Sequence, residues 1–197
     1  MSDELNIIQK RYRLREFYDL HADDIERLGR NCLWQNPYYM PQKALELLNG
    51  ACKSDGINID VLAIFKLHDD AEQLIGFFPY NVQPKRWGIN LPAYIMWWDE
   101  LIKNNMPLID KNHIDECIYY WAYFIQDTGG VSLIHLCDDD QFAAACDNVS
   151  VHIYADYNGS KTAYTTYLTY CNKTSYIRLR YAKTAEFLRL KIRDILR

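Results

Sequence analysis

Residues 59 to 110 constrain the fold more than any other stretch of this 197-residue chain. Ile59 to Leu67 is mostly apolar, which predicts a buried strand. His68-Asp69-Asp70 predicts a turn, and Leu74 to Tyr80 predicts a second strand that pairs with the first as a hairpin. The stretch therefore predicts a β-meander, with a short third strand between Trp87 and Ile95.

Two prolines fall within the second predicted strand or just after it. Pro79 and Pro84 have no backbone N–H to donate to a neighbouring strand. We therefore expect this strand to end early or to lie at an edge of the sheet.

The clearest helix is predicted from His113 to Asp127. Its apolar residues recur with the 3.6-residue period of one helix face. They are Ile114, Cys117, Ile118, Trp121 and Ile125. Asn112 is the predicted N-cap, and Gly129-Gly130 is expected to end the helix.

The other elements are predicted from weaker patterns. Residues 3–17 are polar and helix-prone, and Asp23 is expected to cap a short helix that ends at Leu28. Strands alternating with helices indicate an α/β (α+β) domain of two or three layers. The remaining predicted elements are a helix with Pro41 in its first turn and a stop at Asn49-Gly50, a helix at Asp138–Cys146, and strands at Val131–Leu136 and Val149–Tyr154.

The charge of the chain divides it into two parts. The net charge is −4. Residues 157–197 contain nine basic and two acidic side chains, a net charge of +7, whereas residues 1–156 contain 13 basic and 24 acidic side chains, a net charge of −11. We therefore predict a first domain at 1–156 and a basic helical segment at 157–197.

The basic segment shows helical spacing at two places. Tyr164, Tyr167 and Leu168 are spaced as on one helix face, and Lys183 to Arg197 predicts an amphipathic helix. Its interleaved basic and aromatic residues also suit nucleic-acid binding. We favour docking on the acidic body over nucleic acid, because the charges are opposite.

Several classes of protein are disfavoured by composition. No apolar run approaches the ~18 residues that span a bilayer. The charged N-terminus lacks the apolar segment of a secretory signal. We expect a cytoplasmic protein with no membrane partner. The six cysteines form no CxxC pair and the five histidines no HExxH motif, so buried free thiols and no metal site are expected.

A cluster of aromatic and acidic residues is the most site-like part of the sequence. It consists of Tyr94, Trp97, Trp98, Asp99 and Glu100. Aromatic rings beside carboxylates can line a groove for a sugar or an amine. The structural alternative is that the two tryptophans pack against the helix that contains Trp121. No partner that would activate a nucleophile is visible, so the catalytic residues are unknown.

The order of these motifs resembles the CelD-like branch of the GNAT acyltransferase superfamily, and the tandem-lobe peptidoglycan-bridge aminoacyltransferases. Asn36-Pro37-Tyr38, Leu74-Ile75-Gly76 with Pro79, and Met106-Pro107-Leu108-Ile109-Asp110 resemble segments of the family's first lobe. In the tail, Lys173, Leu179 and Arg180 match the helix that opens its second lobe, whereas Cys171 and Ser175 depart from it. The resemblance extends from about Asn31 to the C-terminus.

The resemblance implies a GNAT-like lobe with a mixed, mainly antiparallel sheet flanked by helices, and an acyl-CoA-dependent transferase activity. Phosphates of such a donor bind at a glycine-rich loop before a helix N-terminus. The nearest match, residues 126–131, follows a helix and precedes a strand. We therefore expect a truncated, inactive member that does not bind acyl-CoA alone. A second-lobe protein or a homodimer is the implied partner, and an amine or sugar the implied acceptor.

A second hypothesis is a non-catalytic binding or interaction module. It would use the aromatic groove, or an exposed sheet edge that promotes dimerisation.

Overall fold

The fold is built around an eight-stranded mixed sheet with helices on both faces. The computed structural model describes residues 6–50, 58–68, 71–85, 92–97, 105–128, 131–136, 152–156 and 164–169. The elements, in chain order, are β1 (Ile7–Arg13), α1 (Leu14–Asn31), a 3₁₀ turn (Pro37–Tyr39), α2 (Pro41–Gly50), β2 (Asp60–His68), β3 (Ala71–Gln83), β4 (Ala93–Met96), β5 (Leu108–Ile109), α3 (Ile114–Thr128), β6 (Val131–Leu136), β7 (His152–Asp156) and β8 (Tyr164–Thr169).

The strand order is β1-β2-β3-β4-β6-β8-β7, and the short β5 pairs with β3 beside β4. All neighbours are antiparallel except β4 and β6, which are parallel. A parallel pair needs a crossover connection, and α3 lies within the connection from β4 to β6. The predicted α+β class with a mixed, mainly antiparallel sheet is confirmed.

The hairpin of β2 and β3 is buried on both faces, as the apolar run at residues 59–67 predicts. Val61, Ala63 and Phe65 point to the face that α1 and α2 cover. Leu62 and Ile64 point to the face that α3 covers. Because successive side chains of a strand alternate between faces, a continuous apolar run requires cover on both sides. The result is three layers.

The edge position predicted for the second strand is wrong. The strand β3 runs on to Gln83 and has neighbours on both sides, β2 on one and β5 and β4 on the other. Pro79 pairs with Val61 of β2, and its carbonyl oxygen accepts a hydrogen bond from the Trp97 backbone N–H (2.8 Å). The N–H and C=O of a strand residue point to the same side, so the missing N–H lies opposite Trp97. The Trp97 carbonyl oxygen accepts from the Tyr39 hydroxyl instead (2.9 Å), so the lost ladder hydrogen bond is replaced.

Two predictions about the N-terminal region are also corrected. Ile7–Arg13 is an edge strand rather than part of a helix, because its backbone pairs with β2 along its whole length. The helix that follows begins at Leu14 and continues to Asn31, far beyond the segment predicted from Asp23 to Leu28. Its backbone leaves helical geometry at His21, whose ring stacks on Phe17 at 4.8 Å between ring centroids.

Tyr164–Thr169 is a strand rather than the helix predicted from the spacing of its aromatic residues. It pairs antiparallel with both β6 and β7. Thr165, Thr166 and Thr169 favour the extended backbone, and pairing on two sides outweighs a three-residue periodicity. The predicted division at residues 156/157 and the tail helix at Lys183–Arg197 stay predictions, as residues 157–163 and 170–197 lie outside the described residues.

The N-terminus of α3 differs from the prediction by one residue. The helix begins at Ile114, and the His113 carbonyl accepts the hydrogen bond of Cys117 N–H (3.1 Å). Asn112 lies before this position, and its N–H donates to the Asp110 carboxylate (2.9 Å). The helix ends at Thr128, next to the predicted glycine stop. No helix within the described ranges is long and apolar enough to cross a membrane.

The close approach of α3 to the sheet depends on Gly76. A Cβ at this position would lie 3.0 Å from Cys117 Sγ, 3.1 Å from Phe78 and 3.3 Å from the Ile64 Cβ. The Cys117 thiol also contacts the Ile75 carbonyl oxygen (3.3 Å). The space that a side chain would fill is thus occupied by the helix.

We expect Gly76→Ala to lower the free energy of unfolding by about 1–3 kcal/mol, because it overpacks this contact. Urea denaturation measures the change. Adding Cys117→Ala should recover part of the loss, since the thiol is the nearest obstructing atom. Gly29→Ala is the control. Its new Cβ would meet only the flexible end of Met40. Equal losses in the two single variants would contradict this account of the packing.

Candidate functional site

Tyr39 connects the helical layer to the end of β4. Its side chain is fully buried, and its hydroxyl donates to the Trp97 carbonyl oxygen (2.9 Å) and lies 3.3 Å from the Asn105 carbonyl oxygen. The Asn105 amide donates to the Met96 carbonyl oxygen (3.3 Å). The two ends of the chain segment between Trp97 and Asn105 are therefore held together at one tyrosine.

The environment of Tyr39 keeps its hydroxyl protonated. Burial raises the pKa of Tyr39 well above its usual value. The hydroxyl therefore remains a donor at neutral pH. Its own backbone carbonyl accepts a hydrogen bond from the hydroxyl of Tyr18 (2.9 Å), which is also buried. Burial likewise raises the pKa of Tyr18.

The predicted aromatic groove is not assembled by its described members. Tyr94 and Trp97 are both buried, but they lie on opposite faces of the sheet. Tyr94 contacts Tyr80 and Phe124 on the α3 face. Side chains three positions apart on an extended chain point to opposite sides, so these two cannot line one groove.

Trp97 packs as a core residue, but not against the helix predicted for it. Its ring stacks on Tyr39, with centroids 5.7 Å apart and planes at 10°. Trp121 lies in the other cluster, stacked on Phe78 and donating its ring N–H to the Ser132 hydroxyl (3.0 Å). Trp98, Asp99 and Glu100 lie outside the described residues.

A cleft between α1 and the segment from Gln35 to Gln42 is the better candidate site. It has a volume of about 530 Å³, which is within the ~300–1,000 Å³ range of small-molecule sites. Its lining comes from one face of α1 and from the turn that leads into α2. The lining residues are Glu26, Gly29, Arg30, Gln35, Asn36, Pro37, Met40, Pro41 and Gln42.

Local sequence rules shape the wall of this cleft. Asn36 is buried, and its side chain accepts a hydrogen bond from the Tyr38 N–H (3.2 Å), which caps the 3₁₀ turn. Pro41 occupies the first position of α2, where no backbone donor is needed. Met40 closes the floor against Gly29, whose missing side chain leaves room for the methionine.

The cleft combines a carboxylate and a guanidinium that have no ionic partner among the described residues. Glu26 and Arg30 lie one turn apart on α1, and both are exposed. Gln35 and Gln42 add amide groups on the opposite wall. Such a set can bind an ammonium at Glu26 and hydroxyl or anionic groups at Arg30 and the amides.

Sequence reasoning missed this cleft because no motif marks it. Glu26 and Arg30 look like ordinary residues of a solvated helix face. The available signal was the break at Asn36-Pro37 followed by Pro41, which places a turn between two helices, where concave surfaces form.

A second cavity, of about 380 Å³, lies at the end of β1 and β2. Of its two guanidinium groups, that of Arg13 pairs with Asp60 at 2.5 Å. Tyr80 also lines it, and burial, followed by the Asp60 charge, raises the pKa of Tyr80. Because Arg13 already has a carboxylate partner and the cavity is smaller than the cleft, it is the weaker candidate.

The N-terminus of α3 is rich in carboxylates. Asp110 is buried and accepts from Asn31 (3.0 Å) as well as from the Asn112 N–H. Asp115 and Glu116 lie in the first turn. These carboxylates complement the helix dipole and repel a phosphate. Residues 126–131 span the C-terminal end of α3 and the start of β6, in the order that the sequence predicts.

The two described cysteines are unsuited to nucleophilic chemistry. Cys117 is buried and Cys32 half-buried, both as free thiols. Burial raises the pKa of each, which lowers the thiolate fraction. No group of three potential ligands that could hold a metal ion is found in the described part of the chain.

No known family model matches this sequence, and no curated protein is significantly similar to it.

We expect Tyr39→Phe to lower the free energy of unfolding by about 1–3 kcal/mol, because it removes the donor from buried carbonyl groups. Chemical denaturation measures the loss. Tyr119→Phe is the matched control, since that side chain is half exposed, and its effect should stay within about 0.5 kcal/mol. A loss no larger than that of the control would contradict the anchoring role of Tyr39.

The stability of the wild-type protein should fall as the pH rises above about 10, the pKa of an unfolded tyrosine. Above that pH the unfolded chain releases a proton that folded Tyr39 retains, because burial raises the pKa of Tyr39 in the fold. The free energy of unfolding of the Tyr39→Phe variant should fall less steeply in this range, by about 1.4 kcal/mol per pH unit. Parallel pH profiles from pH 9 to 11 would contradict this.

Proposed function

We propose that this chain is a GNAT-like lobe of the CelD-like acyltransferase kind, and that it binds an amine or sugar acceptor without binding acyl-CoA itself. The acceptor occupies the cleft between α1 and the segment from Gln35 to Gln42. The observation that supports this most is the Glu26–Arg30 set on the wall of a small-molecule-sized cleft, with no ionic partner in the described part of the chain.

The arrangement of the sheet is consistent with the proposed family. Two helices precede the central antiparallel strands, and one parallel pair is joined through α3. The Asn-Pro-Tyr, Leu-Ile-Gly and Met-Pro-Leu-Ile-Asp segments that resemble the family form the 3₁₀ turn, the centre of β3 and β5. Each therefore has a defined structural role in the same lobe.

The electrostatics of α3 support the second part of the proposal. A donor with a pyrophosphate needs a helix N-terminus with free N–H groups and little negative charge. At α3, the Asp110 carboxylate already accepts the Asn112 N–H, and two more acidic residues follow. A dianionic group would meet repulsion at this end of the helix.

The cleft is suited to binding rather than to proton transfer. Glu26 is exposed to solvent, so it can hold an ammonium group as a hydrogen-bond acceptor. Arg30 and the glutamine amides can orient hydroxyl groups around it. In this role the lobe presents an acceptor, and the donor comes from another protein or lobe.

The second candidate function is an interaction module that pairs through a sheet edge. The strand β1 is a poor edge for this, because it presents Lys10, Arg11 and Arg13, and charged edge residues disfavour strand addition. The strand β7 ends the described sheet on the other side. Light scattering separates the two ideas, since edge pairing predicts a dimer and the acceptor lobe does not require one.

We expect glucosamine, used as a probe, to bind the full chain, and Glu26→Gln to weaken binding at least tenfold. The substitution removes a charged hydrogen bond worth about 1.5–3 kcal/mol. Calorimetry gives the affinities. Glu72→Gln is the control, because Glu72 is an exposed carboxylate on β3 that pairs with Lys10 and does not line the cleft. Equal weakening by both variants, or none by either, would refute the cleft assignment.

Titration of the chain with acetyl-CoA should give no stoichiometric complex in the micromolar range. The reason is the acidic N-terminus of α3, whose carboxylates repel a phosphate. A one-to-one complex with a micromolar dissociation constant would overturn the donor-free proposal and leave the acceptor cleft unaffected. If neither glucosamine nor acetyl-CoA binds, the cleft is not an acceptor site, and the proposal that the chain does not bind acyl-CoA stands.

A further inference from the structure

The outer face of α3 carries a stripe of acidic and aromatic residues. Asp115, Tyr119, Tyr123 and Asp127 recur every fourth position and are all exposed. Each tyrosine is 50% exposed, and their rings stack with centroids 6.5 Å apart and planes at 20°. We call these four residues the α3 stripe.

The charge of α3 is entirely negative. The helix contains Asp115, Glu116 and Asp127 and no lysine or arginine, which gives a net charge of −3. Partly exposed tyrosines beside carboxylates form a surface that accepts both apolar and cationic groups.

The chain leaves the sheet beside the end of this helix. In the pairing of β6 with β8, Leu168 lies opposite Ser132. Only residues 129 and 130 separate the start of β6 from the last residue of α3, Thr128. The end of β8 at Thr169 is therefore close to the C-terminal end of α3, and the 28 residues from 170 to 197 start there.

The predicted basic helix has the same length as α3 and a net charge of opposite sign. Lys183–Arg197 and α3 each have 15 residues, about 22 Å as helices. The basic segment contains five basic and two acidic side chains, a net charge of +3. Its predicted apolar face comprises Phe187, Leu188, Ile192 and Ile195.

The connection is long enough to allow this docking. Thirteen residues, 170–182, join Thr169 to Lys183, and such a segment can span up to about 45 Å. This is roughly twice the length of α3. The basic helix can therefore reach any part of the stripe.

We propose that Lys183–Arg197 of the same chain docks on the α3 stripe as an amphipathic helix. Its apolar residues cover Tyr119 and Tyr123, and its basic residues approach Asp115 and Asp127. This contact is intramolecular, and it occupies basic residues that could otherwise bind a polyanion.

Hydrogen exchange of the full chain tests the proposal at the amides of residues 183–197. In the wild type these amides should be protected. Replacing both stripe tyrosines (Tyr119→Ser with Tyr123→Ser) should speed their exchange at least tenfold. The control is Leu20→Ser, an exposed apolar residue on α1 (63% exposed), which should leave the exchange unchanged. Circular dichroism verifies that each variant is folded.

Four results would overturn the proposal. The first is fast exchange of residues 183–197 in the wild type. The second is protection that persists in the double tyrosine variant. The third is protection that appears only as protein concentration rises, which would place a second copy on the stripe. The fourth concerns binding of a single-stranded oligonucleotide, with which a docked tail should compete. If the wild type binds the oligonucleotide in a salt-sensitive way and no more weakly than the double tyrosine variant does, the tail is not docked on the stripe.

Discussion

Burial of the β2–β3 hairpin on both faces is the constraint on which the rest of the structure depends. Val61, Ala63 and Phe65 on one side and Leu62 and Ile64 on the other leave neither face free for solvent. The chain meets this demand with α1 and α2 below the sheet and α3 above it. Close contact above requires Gly76, since any side chain there would meet Cys117, Phe78 and Ile64.

This layered packing determines where binding chemistry can lie. The interior of both clusters is rich in aromatic residues, and its hydroxyls hold elements together, as the Tyr39 contact with Trp97 shows. In the cleft, the charged side chains Glu26 and Arg30 lie at the margin of the α1–α2 layer and have no ionic partner among the described residues. A cleft at that margin can exchange ligands without disturbing the core.

The sequence was most informative where patterning is strong and local. The apolar run of β2 and the periodicity of α3 predicted both elements closely. A strand buried on both faces is continuously apolar, whereas a helix buried on one face repeats its apolar residues with a 3.6-residue period. Local patterns were misleading where distant pairing decides the outcome. Residues 164–169 have helical spacing but lie between two strands. Pro79 is tolerated in a central strand because the Tyr39 hydroxyl donates to the Trp97 carbonyl oxygen that faces it.

The candidate site was less predictable than the fold. The closeness of Tyr94 and Trp97 in the sequence predicted a shared groove, yet strand alternation places the two side chains on opposite faces of the sheet. Glu26 and Arg30 form a site only because the turn around Asn36 lies opposite them. That proximity arises from the packing of α1 against α2, and no local sequence pattern predicts this packing.

The most direct test of the central claim is backbone NMR of the ¹⁵N-labelled full chain, titrated separately with glucosamine and with acetyl-CoA. The account predicts that glucosamine shifts the amide signals of Glu26, Arg30, Gln35 and Gln42, and that acetyl-CoA leaves the signals of residues 111–117 unchanged. Saturable shifts at 111–117 with acetyl-CoA, together with none at the cleft with glucosamine, would contradict it.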